Sequence, residues 1–183
     1  MKILIVTIYL SLITKVFSHP HVFFDASFLI NINQNTIQNI SVDLSLDEMN
    51  TLLYQEELAP EKDGNVKKEN IHFLKDVINH FHLSYNNSQP IKNNFIFESA
   101  FIIDNKLNIH IVFPLNKKLA QHDKIVFSMY DKEYYYTYDY NEYSLEDNII
   151  NSTLKINSTL MENRAKSFYF GMIYPLEFEV IFN

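Results

Sequence analysis

HVFFDASFLINI (residues 21–32) and IQNISVDL (37–44), separated by the polar run Gln34-Asn35-Thr36, decide the fold of this chain. The first stretch is dense in β-branched and aromatic residues and the second alternates, so each reads as a strand and the interruption as a turn. A hairpin is the simplest arrangement. Downstream, Ser45 stands three residues before Glu48, a capping-box spacing, and Met49, Leu52, Leu53 and Leu58 follow at the intervals of a helix's apolar stripe. Val66, Ile71, Leu74, Val77, Ile78 and Phe81 repeat that period after a polar break, which predicts two helices of about three to four turns. From Leu83 onward the pattern is that of strands. Phe95 to Ile103 and Leu107 to Phe113 flank Asp104-Asn105, a pair that accepts the positive φ angles of a tight turn, and Pro114 is expected to end the ladder. A further hairpin is expected from Lys124 to Tyr140, turning near Asp131-Lys132, with weaker strands at 153–157 and 176–182. The expected class is therefore α+β: an antiparallel β-sheet or sandwich with a helix pair inserted after its second strand.

Upstream of the first strand the chain reads as a secretory signal peptide. Lys2 gives a positive start, residues 3–13 (ILIVTIYLSLI) are apolar, and Val16 and Ser18 occupy the two positions that a signal peptidase inspects. That apolar run is shorter than the roughly twenty residues a membrane span requires. Cleavage after Ser18 divides the chain into a signal peptide at 1–18 and one exported domain at 19–183, placed in the periplasm or outside the cell. Loss of Lys2 and Lys15 leaves thirteen Lys plus Arg against twenty-two Asp plus Glu, a net charge of −9. That balance opposes binding to nucleic acid or to an anionic membrane surface.

Several chemistries are excluded by composition. Without cysteine there is no disulfide, no thiolate nucleophile, no sulfur-ligated metal site and no lipidated cysteine. Glycine occurs only at Gly64 and Gly171, which rules out phosphate-cradling glycine loops and the nucleophile elbow of serine hydrolases. Only His, Asp, Glu and backbone atoms remain as metal ligands. The start of the predicted mature chain, HPHVFFD (19–25), is the densest such group. In a strand, His19, His21 and Asp25 project from one face while Val22, Phe24 and Ala26 turn to the core. Two imidazoles and a carboxylate suit zinc, nickel, copper(II) or iron(II), and cleavage adds the α-amine of His19. Pro20 removes the deprotonatable amide on which the three-residue copper and nickel motif depends. The plainer alternative is an exposed His-Pro-His that merely follows a cleavage site.

Other groups carry weaker signals. His72, Asp76 and His80 fall four apart on the second predicted helix, where a solvated face is the ordinary explanation. Tyr134, Tyr136, Tyr138 and Tyr140 share one strand face; exposed, such a ladder stacks carbohydrate or a partner, and buried it is sheet packing, which is the favoured reading. Asp47 and Glu48 favour the positive end of a helix and need no catalytic role.

HPHVFFDA, SLDEMN (45–50) and MYDKEYYY (129–136) occur in the order and spacing of an exported bacterial family, and the chain resembles it over most of its predicted mature length. That family is number 1007 among the domains of unknown function, labelled the periplasmic component of an uncharacterised ABC-type transport system. The resemblance implies a periplasmic location, an association with nickel, cobalt or zinc transport, and an inner-membrane metal transporter as partner. It also implies an acidic, glycine-containing loop like a calcium-binding EF-hand between the two helices, here APEKDGNVKKEN (59–70). With Gly64 at the sixth position, Ala59 stands first, Glu61 third, Asp63 fifth, Lys67 ninth and Asn70 twelfth, so both anchoring oxygens of a calcium loop are lost. The helix pair is thus expected to resemble a degenerate EF-hand that binds no calcium. Lys132 stands where the family's tyrosine motif commonly has proline.

Three functions are compatible with these residues: a non-enzymatic periplasmic accessory of metal transport with a zinc or nickel ion at His19, His21 and Asp25; a non-catalytic interaction module of a transport system; and a metal-dependent hydrolase, which needs an open coordination position beside a general base. The size of the chain argues against a stand-alone solute-binding protein of the two-lobed kind. The mature protein is predicted to start at His19, and intact mass with N-terminal sequencing of protein from its native compartment checks this. Retention of residues 1–18 in the membrane would contradict it.

Overall fold

The computed structural model describes residues 22–89, 91 and 94–183, and these build a β-rich protein of two sheets with few helices. Strands β1 (Val22–Asn33) and β2 (Thr36–Leu46) form the expected hairpin, with Gln34 and Asn35 both at positive φ as a two-residue turn requires. Helix α1 (Glu48–Leu58), a 3₁₀ turn (Lys68–Asn70) and helix α2 (Leu74–Asn79) follow. Then come β3 (Phe81–Tyr85), β4 (Ile96–Ile103), β5 (Lys106–Lys118), β6 (Lys124–Met129), β7 (Tyr136–Asp139), β8 (Leu145–Ile150), β9 (Ile156–Glu162) and β10 (Leu176–Phe182). The first sheet runs β4-β5-β2-β1, with β7 and then β8 laid along the far edge of β1; the second runs β3-β6-β10-β9.

Alternation along β1 explains how the sheets face each other. Val22, Phe24, Ala26, Phe28, Ile30 and Ile32 are all buried, while Phe23 and Asp25 face outward. Phe28 reaches across to Phe127 of β6 and Phe178 of β10, with ring centroids 5.3 and 5.7 Å away, and Phe81 of β3 stacks on Phe113 of β5 at 4.1 Å. Each such burial contributes about 1.5–3 kcal/mol relative to exposure. Asp104 and Asn105 likewise turn β4 into β5 at positive φ, as read from the sequence.

Four expectations are corrected. Strand β5 continues through Pro114, which lies opposite Asn39 where the register slips between Ile37 and Asn39; the irregularity absorbs the missing N–H and pairing resumes at Ile37 with Lys117. Residues 124–140 do not form a hairpin. Strand β6 joins the second sheet while β7 runs parallel to β1 in the first, because the Asp131 carboxylate collects the backbone N–H groups of Glu133, Tyr135 and Tyr136 and sends the chain across. The second helix has six residues rather than three to four turns. Its apolar spacing is spread over an extended segment at Val66, whose N–H donates to the Ala100 carbonyl at 2.9 Å, the 3₁₀ turn and α2 itself.

The fourth correction concerns α1, which lies where the spacing places it but turns the opposite face inward. Asn50, Thr51 and Leu58 are buried, whereas Met49, Leu52 and Leu53 are 64, 59 and 67% exposed. The ends of β2 and β5 dictate this orientation. Thr51 Oγ1 donates to the Leu46 carbonyl at 3.4 Å and accepts from the Leu107 N–H at 3.0 Å, while Asp47 caps the helix by accepting from the Asn50 N–H. A helix rolled to bury its leucines would leave those strand-end groups unpaired, at about 1–3 kcal/mol for each buried one.

The loop after α1 is stitched to the edge of the first sheet. Ile102 N–H donates to the Gly64 carbonyl at 2.8 Å, and a Cβ at Gly64 would lie 2.7 Å from the Ile102 carbonyl oxygen. Gly64 also has φ +86°. Close approach and positive φ together account for glycine here. Gly64→Ala is expected to destabilise the fold by about 1–3 kcal/mol, seen as a lower urea midpoint with an unchanged m-value; an unaltered midpoint would contradict the assignment.

Candidate functional site

The entry of β1 into the first sheet is where the three quoted sequence motifs meet. Val22 N–H donates to the Tyr135 carbonyl at 3.1 Å, and Asp47 N–H donates to the Phe23 carbonyl at 3.1 Å. Asp25 pairs with Ser45 of β2 on one side and with Asp139 of β7 on the other. Phe24 stacks on Tyr138 and Tyr136, with centroids 5.7 and 6.5 Å apart. VFFDA, SLDEMN and MYDKEYYY thus come together at one end of the first sheet. A family model described as "Protein of unknown function (DUF1007)" matches residues 4–162. The chain belongs to this family. The match takes in all three motifs. None of the curated proteins matches the chain.

On the outer face of this end, Asp25 is exposed and its carboxylate lies 3.6 Å from the Lys106 ammonium. Asp139, also exposed, is its in-register neighbour across the parallel β1–β7 pair, where strands run about 4.8 Å apart. One row along, His110 Nδ1 meets Asp43 at 2.5 Å. His19 and His21 lie outside the described residues. Among the described residues no group of three or more His, Asp or Glu side chains could hold a metal ion. Asp139 was not singled out in the sequence because its place depends on the parallel pairing of β7 with β1, which no local pattern announces.

Behind the same strand end lies a polar cluster facing inward. His80, at the end of α2, has Nδ1 2.7 Å from the Tyr138 hydroxyl and Nε2 3.5 Å from the buried Asp131 carboxylate. Both ring nitrogens are engaged, so this histidine ties α2 to β7. Burial lowers the His80 pKa against the opposing pull of Asp131 and Asp76, and burial raises that of Tyr138 well above the usual phenol value. The His72, Asp76 and His80 trio does not converge: His72 and Asp76 are exposed while His80 turns inward. His82 stacks on Tyr130 at 4.1 Å, and burial lowers its pKa too, with Lys132, Lys166 and His80 adding to the effect. Tyr138 and Tyr140 are buried, and the Tyr140 hydroxyl donates to the Leu176 carbonyl at 2.5 Å, so the tyrosine ladder is mainly packing between the sheets.

In the loop from Ala59 to Asn70 the Lys67 ammonium, at the ninth position of the calcium-loop alignment, sits 3.3 Å from the carboxylate of Glu61 at the third. Asn70 uses its side-chain N–H to bond the Leu58 carbonyl at 3.0 Å.

The two half-buried histidines, His80 and His82, make stability pH-dependent. Their folded pKa values are lowered, so the unfolded chain takes up protons first as pH falls. Stability is complete above the unfolded value of about 6.5 and declines as pH drops toward the folded values. Urea midpoints measured from pH 7.5 to 5 should fall, and the His80→Asn, His82→Asn double variant should show a flatter profile even where its absolute stability is lower. An equal slope in both proteins would contradict the assignment.

Proposed function

We propose that this is an exported, non-enzymatic metal-binding domain that serves transport of nickel, cobalt or zinc, holding a divalent transition metal through His19, His21 and Asp25. The observation that carries the reading is the in-register pair of exposed carboxylates, Asp25 and Asp139, on the outer face of the strand that directly follows the His-Pro-His segment. Adjacent carboxylates repel, and a divalent cation relieves that repulsion better than the single ammonium of Lys106. Imidazole nitrogens beside carboxylate oxygens favour zinc or nickel over calcium or magnesium. In this reading the loop from Ala59 to Asn70 holds no calcium, and Lys67 pairs with Glu61 there. The partner in this reading is an inner-membrane metal transporter, and no described helix is long and apolar enough to cross a membrane. A second reading, an interaction module, is favoured by the outward apolar face of α1.

Calorimetric titration of the mature protein with zinc and nickel is expected to show one site, lost in the His19→Ala, His21→Ala double variant with the fold unchanged. Affinity should drop steeply below about pH 6, because imidazole must be unprotonated to coordinate. Lys106→Ala should tighten binding by up to about fivefold, since an exposed ion pair competing for Asp25 is worth about 0–1 kcal/mol. Calcium should give no heat. Equal affinity of the double variant and the parent protein would move the site elsewhere.

A further inference from the structure

Among the described residues, an apolar stripe that follows a helical period and faces solvent lies on α1. Successive helical residues are turned by about 100°, so Met49, Leu52, Leu53 and Glu56 form a single strip, with Glu48 and Glu57 on its two flanks. Asn50, Thr51, Tyr54 and Leu58 occupy the opposite side and hold the helix down through the Thr51 hydrogen bonds and a Tyr54–Phe73 ring contact at 5.2 Å. The strip is therefore fixed outward by polar bonds beneath it. No ion pair joins Glu48, Glu56 or Glu57 to any described residue, and α1 carries no Lys or Arg, so its rim is negative and uncompensated.

We infer that this face of α1 docks a basic amphipathic segment of a partner protein, whose apolar side chains cover Met49, Leu52 and Leu53 while its Lys or Arg residues meet Glu48, Glu56 and Glu57. The charge of the rim selects this occupant. A second copy of the chain would bring the same carboxylates against themselves, and an anionic lipid surface would repel them. A helix laid against i, i+3 and i+4 anchors is an established way of reading such a strip, and opposite rim charges set orientation and speed of encounter. The inference is independent of the metal site, which lies on side chains of β1 and the segment before it.

The test uses the mature protein and a helical peptide of leucine and lysine that is apolar on one face, with a leucine–glutamate peptide of the same pattern as its counterpart. Fluorescence anisotropy should show binding of the lysine peptide that weakens with salt, and no binding of the glutamate peptide. Leu52→Ser with Leu53→Ser should weaken binding by about tenfold or more, and Glu56→Gln with Glu57→Gln should weaken it and flatten its salt dependence. All four positions are exposed, so both variants should melt within a few degrees of the parent. Undiminished binding by the leucine variant, equal binding of the two peptides, or no binding at all would overturn the inference. So would a concentration-dependent dimer in sedimentation that the leucine variant abolishes, because the occupant would then be a second copy.

Discussion

Strand β1 is hydrogen-bonded along both of its edges, and the rest of the molecule is arranged by that fact. Its hairpin partner β2 occupies one edge in antiparallel register, and β7 followed by β8 occupies the other in parallel, end to end. A strand so enclosed must have its neighbours' chain reversals at fixed heights. The Asp131 turn delivers β7 to Val22–Asp25, and the Asn141-capped 3₁₀ turn before β8 delivers Phe28–Asn33 their partner. The inner face of β1 meanwhile supplies Phe24 and Phe28, which touch α2's neighbour Phe73, the tyrosines of β7 and the second sheet. Edge bonding and face packing thus fix the same strand from three directions.

Local chemistry accounts for what could be read from the chain alone. The turns at Gln34-Asn35 and Asp104-Asn105 are decided by residues that tolerate positive φ, and β1 by an alternation that continues for its full length. Where the reading failed, a distant partner had intervened. The period of Met49, Leu52 and Leu53 is a true helical period, but which face turns inward was settled by the Leu46 carbonyl and the Leu107 N–H, the latter more than fifty residues away in sequence. The tyrosines at 136–140 alternate as a strand should, yet their neighbour is β1 rather than β6, since Phe24 supplies a stacking surface. Asp25 was legible by its phase in β1; Asp139 and the His80–Asp131–Tyr138 contact required the crossing between sheets to be known.

The same end of the protein carries two kinds of surface that do not compete. On the sheet face, carboxylates and a lysine lie beside the start of β1; around the corner, α1 shows leucines rimmed by glutamates. Between them sits Asp47, whose carboxylate caps α1 while its N–H bonds the Phe23 carbonyl. Because desolvation is outweighed by several such hydrogen bonds, its pKa is lowered, and the joint between strand and helix stays charged well into acid. Asp47 thus joins the two surfaces, while the Thr51 hydrogen bonds set which face of α1 is turned outward.

The long edge of β1 has a consequence in time as well as in space. Val22 finds its partner at Tyr136 and Asn33 at Ile150, and in the second sheet β6 pairs with β10 some fifty residues further along. Contacts of such sequence separation must close large loops before they are rewarded, which places a protein of this topology among slow folders, on the scale of milliseconds to seconds. The opening hairpin therefore forms long before its second edge is covered, and it spends that interval as an open sheet edge. Until β7 and β8 arrive, the outer edge of β1 offers its backbone N–H and C=O groups to any other strand that reaches it. The half-built sheet is therefore the state of this protein most exposed to pairing with another chain.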